Sequence, residues 1–145
     1  MDKMEIVEIL QAGLVPIVIL SSAGLISLSL QQRYGRVIDR IRYFHGKIDD
    51  EKWKNVVEEQ LDILILRGRL LRNAMFSIML CILFALITTL TLSLQIIYKI
   101  DSIATILLFF LSLSFLLIAV LFAIAEIFIS YKAVLKEDEK IRSKY

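Results

Sequence analysis

Three stretches of this chain, residues 9–30, 74–98 and 103–130, are apolar for long enough to cross a lipid bilayer. A hydrocarbon core of about 30 Å is spanned by about 20 residues of helix. Inside lipid each segment must close its own backbone hydrogen bonds, and a helix does so without a partner. A mean hydropathy of +0.74 and a hydrophobic share of 58% are too high for a soluble domain of 145 residues. One proline and five glycines leave few interruptions. The expected fold class is therefore an all-α integral membrane protein. Transmembrane helix one covers 9–30, helix two 74–98 and helix three 103–130, with helical extensions over 31–72 and 131–145.

The net charge of +2 decides little, but its distribution does. Lysine and arginine number ten within 31–72 and five after Ser130. Only Lys3 precedes the first span, and only Lys99 lies between the second and third. Basic residues gather on the cytoplasmic side. Both extensions are thus expected in the cytoplasm and the N-terminus outside a plasma membrane. The first span does not resemble a cleavable signal, because its leading residues are acidic on balance and basic residues follow it.

Enzyme chemistry has almost nothing to stand on. Cys81 is the sole cysteine and falls inside the second span, while His45 is the sole histidine. A His/Cys metal site within one chain is excluded, as is an internal disulfide. No glycine-rich phosphate loop and no Ser/His/Asp set is present. The expectation is a protein with no catalytic residue, no cofactor, no metal and no nucleic-acid partner.

At 100° per residue, Gln11, Ser22 and Ser29 share a narrow face of helix one. Arg33, Arg36 and Arg40 continue that face beyond the span. Such a stripe either packs against protein or lines a wet pathway. A separate face of small residues (Ala12, Gly13, Pro16, Ala23, Gly24 and Ser27) permits close helix contact in lipid. Past the span, Arg33, Arg36, Arg40 and Arg42 are candidates for binding an anion or a lipid phosphate. Asp39 stands three residues from both Arg36 and Arg42, where an intrahelical charge ladder is available. Gly46 is the expected helix end.

A proline-bearing first span, then Ala23-Gly24-Leu25, Arg33, Arg36 and Ile38-Asp39-Arg40-Ile41-Arg42, resembles the uncharacterised membrane-protein family catalogued as domain of unknown function 2721. Arg67-Gly68-Arg69-Leu70-Leu71, ahead of the second span, extends the likeness. The resemblance implies a prokaryotic, three-helix integral membrane protein and brings no activity, ligand or catalytic residue with it.

Helices two and three each carry a line of small or polar residues every seven positions. Trp53, Gln60, Arg67, Ala74, Cys81, Thr88 and Gln95 form one; Thr105, Ser112, Ala119, Glu126, Ala133 and Lys140 form the other. This spacing predicts an antiparallel hairpin wound as a left-handed coil. Asp49-Asp50-Glu51 marks a helix start and Lys99–Ser102 the tight link. Glu126 lies near the end of the third span, where a bare carboxylate is costly and needs a partner. Helical side chains lean toward their own N-terminus, which favours Arg33 as that partner, with Arg72 or Arg67 behind. Two functions stay open. One is a homo-oligomeric scaffold touching lipid and anionic headgroups. The other is a small anion-preferring channel or transporter whose pathway runs along helix one.

Overall fold

A computed structural model describes residues 3–46, 54–98 and 103–142, with side chains over 13–46, 60–95, 98 and 103–135. These residues form three α-helices: α1 (Lys3–His45), α2 (Lys54–Tyr98) and α3 (Ile103–Arg142). At 1.5 Å per residue each is roughly 60 to 70 Å long, about twice a hydrocarbon core. All three are long and apolar enough to cross a membrane, within Gly13–His45, Gln60–Gln95 and Ile103–Leu135, at mean hydropathies of 2.1, 2.4 and 2.9. The chain is built as a multi-pass membrane protein. α1 is continuous through Pro16, which is buried; packed membrane helices tolerate the lost backbone bond. Trp53, the start at 49–51, the link at 99–102 and the side chains of Gln11 and Lys140 lie outside the described residues.

The chain divides into two compact units, and each has its own core. The first joins Met1–Leu28 to Phe76–Ala119. Its interior combines Ile19 and Ile78 with many small and hydroxyl-bearing residues: Ala23, Cys81, Ala85, Thr88, Thr105, Ser112 and Ala119 are all buried. Apolar attraction between helices is weak in lipid, so close packing and cross-helix hydrogen bonds hold such a core. Gln95 Nε2 donates to Thr105 Oγ1 at 2.8 Å. Ser112 Oγ donates its only proton to the Cys81 carbonyl at 3.0 Å, so in the 3.4 Å contact between Cys81 Sγ and Ser112 Oγ the thiol is the donor. The Phe84 and Phe115 rings stack 5.4 Å apart. Leucines such as Leu25, Leu90, Leu107 and Leu117 point outward, as a lipid-facing surface requires.

The second unit joins Ser29–Met75 to Val120–Tyr145. Leu30, Val37, Leu61, Leu64, Leu71 and Ala74 form its apolar core. Gly68 is buried on α2, and a Cβ placed there would lie 3.7 Å from Val37 Cγ1 on α1. The Val37 side chain of α1 packs over α2 at this point. α1 closes at His45: the Gly46 amide donates to the Arg42 carbonyl at 3.2 Å, and His45 Nδ1 donates to the Ile41 carbonyl. The expected charge ladder does not form, since Asp39 makes no ion pair among the described residues. Exposed side chains on a solvated helix gain too little from such a pair to hold it.

Candidate functional site

Within the second unit, the Glu126 side chain is completely buried. Taking a lone carboxylate out of water costs several kcal/mol, so its position depends on partners. Two guanidinium groups supply them. Glu126 Oε1 accepts a hydrogen bond from Arg67 Nε at 2.9 Å and lies 2.8 Å from Arg67 Nη2. Glu126 Oε2 is 2.7 Å from Arg33 Nη2. That second contact is an ion pair without the alignment of a hydrogen bond, and Oε2 accepts none among the described residues. Two cations on one anion leave the cluster positive.

The local sequence explains the meeting. Arg33 and Val37 are four residues apart and share a face of α1. Val37 seats against Gly68, whose preceding residue is Arg67. The contact at Gly68 therefore carries Arg33 and Arg67 toward the same carboxylate. α3 contributes only Glu126 to this contact.

An open groove of about 740 Å³ lies beside the cluster. Arg33, Arg36 and Arg40 line it from α1, and Arg67 from α2. Asp39, Val37, Tyr43 and Ser130 complete its wall. Arg36 Nε donates to the Gln32 carbonyl at 3.4 Å, which leaves its two terminal nitrogens free of that bond. Arg40 is exposed and makes no hydrogen bond or ion pair among the described residues. Among the described residues, four guanidinium groups against the carboxylates of Asp39 and Glu126 leave an excess of two positive charges.

Some expected site residues stand elsewhere. Arg72 is exposed and makes no ion pair among the described residues. Five positions turn a helix by about 140°, so Arg72 and Arg67 cannot face the same carboxylate. Arg42 is exposed and does not line the groove, being about 200° around the helix from Arg40. Ser22 is half-buried and donates to the Val18 carbonyl at 2.7 Å, while Ser29 is exposed. Tyr43 and Ser130 enter the groove without having been expected there. Helical spacing carries the signal for both: Tyr43 is three residues past Arg40, and Ser130 four past Glu126. No group of residues able to hold a metal occurs among the described residues.

A family model described as protein of unknown function (DUF2721) matches residues 14–135. Neither a curated protein nor a solved structure matches the chain.

Proposed function

We propose, for a chain that belongs to the DUF2721 family of unknown function, a non-enzymatic role as a homo-oligomeric helical scaffold in a lipid bilayer. In this reading α2 and α3 form an antiparallel coiled hairpin, and their basic ends extend into the cytoplasm. One observation carries it: four polar side chains of the apolar stretches and one buried carboxylate link one helix to another. Cys81, Ser112, Gln95 and Thr105 bond across helices, and Glu126 is clamped by arginines from two of them. Register supports the hairpin. Arg67 precedes Cys81 by fourteen residues and Glu126 follows Ser112 by fourteen, and each pair is in contact, so one seven-residue spacing serves both.

A wet pathway along α1 has less support. Ser21 and Ser22 donate to the carbonyls of Ile17 and Val18 within their own helix. Hydroxyls satisfied in this way need no water and sit equally well against protein or lipid. The test is a subunit count in phosphatidylcholine nanodiscs, beside chloride and phosphate flux into liposomes made with the same protein. A fixed count above one with flux no greater than in empty liposomes is the expected outcome. A monomer at every protein-to-lipid ratio removes the homo-oligomer, and flux abolished by Arg36→Gln/Arg40→Gln replaces the scaffold with an anion channel.

A further inference from the structure

We infer that the arginine groove of the second unit is a binding site for a phosphate monoester, presented by a membrane lipid. Three observations converge on that chemistry. The first is charge. Arg33 and Arg67 are already engaged with Glu126, yet among the described residues the groove still carries an excess of two positive charges, which matches in size the charge of a monoester at neutral pH.

The second is geometry of donation. Arginine presents a planar fork that grips phosphate oxygens in pairs. Arg36 and Arg40 are exposed on the groove wall with terminal nitrogens uncommitted, and the Ser130 hydroxyl adds a neutral donor. Arg33 and Arg67 are held in place by the buried carboxylate, so their orientation is set before a ligand arrives. Preorganised donors lose less entropy on binding than free ones.

The third observation selects the source. At about 740 Å³ the groove has the size of a small-molecule pocket rather than of a single oxyanion. In the same unit, Leu66 on α2 and Ile127, Phe128 and Tyr131 on α3 are exposed apolar or aromatic side chains. On α1 the groove begins with Arg33, directly after the long apolar stretch ends at Leu30. A unit that carries both charge for a headgroup and exposed apolar surface for its chains is the complement of a lipid. Asp39 in the wall opposes a surplus of anions.

Thermal melting of the full chain in nanodiscs tests the inference. One arm compares phosphatidylcholine discs with and without phosphatidic acid. A second replaces phosphatidic acid by phosphatidylglycerol, a diester. A third adds inorganic phosphate to pure phosphatidylcholine discs at constant ionic strength. Phosphatidic acid should raise the midpoint more than the other two additions. Arg36→Gln and Arg40→Gln, which leave Glu126 and its partners untouched, should each weaken apparent affinity by about tenfold. Arg42→Gln removes the same charge outside the groove and should behave as wild type. Stabilisation by inorganic phosphate alone moves the site to a soluble phosphate and overturns the lipid source. No stabilisation in any arm, or equal losses in Arg36→Gln, Arg40→Gln and Arg42→Gln, overturns the site itself.

Discussion

The two arginines at Glu126 are not equivalent. Arg67 makes two contacts to Oε1, one of them an aligned hydrogen bond, and its side chain is 17% exposed. Arg33 makes one unaligned contact to Oε2 and is 29% exposed, so water screens it more. Arg67→Ala should therefore destabilise the chain by about 3 kcal/mol, the lower end for breaking a buried pair. Arg33→Ala should cost about 1 kcal/mol, nearer to an exposed pair. Melting in detergent checks this, and Glu126→Ala/Arg67→Ala should lose less than the sum of its parts. Equal losses for the two arginines contradict the asymmetry. The need for a partner at Glu126 was legible from a carboxylate beside an apolar stretch. The choice of partner was not, because the lean of a side chain fixes Cβ but not the reach of a long arginine stem. The azimuth that separates Arg67 from Arg72 was readable from spacing alone.

Among the elements, α1 and α2 are in contact at Gly68. A Cβ there would meet Val37 Cγ1 at 3.7 Å, an ordinary contact rather than a clash. Glycine costs a helix interior about 1 kcal/mol relative to alanine. Gly68→Ala should hold or raise the melting midpoint, with a gain of up to about 1 kcal/mol. Gly68→Leu overfills the same space and should cost about 1–3 kcal/mol. A marked loss in Gly68→Ala contradicts the packing at this point. The seven-residue lines of α2 and α3 were open to a reader of the sequence, since small residues repeat there between leucines. Ala74, Cys81, Thr88, Thr105, Ser112, Ala119 and Glu126 are all buried. The same period did not reveal the groove, whose wall combines three helices and depends on which faces pack.

At the scale of the whole molecule, the proposed orientation, drawn from the distribution of lysine and arginine, has the N-terminus outside and 31–72 and the chain after Ser130 in the cytoplasm. In intact cells, Lys3→Cys should react with an impermeant maleimide, while Lys47→Cys and Lys140→Cys should react only after the membrane is opened. Labelling of position 47 from outside reverses the orientation. Cys81 determines how cleanly such an experiment reads. Its side chain is fully buried and its thiol is hydrogen-bonded to Ser112, so reagent does not reach the sulfur. The natural chain should stay unlabelled in its folded state and serve as its own blank. Every introduced thiol then reports alone, without replacing a residue that ties two helices together through both its sulfur and its carbonyl.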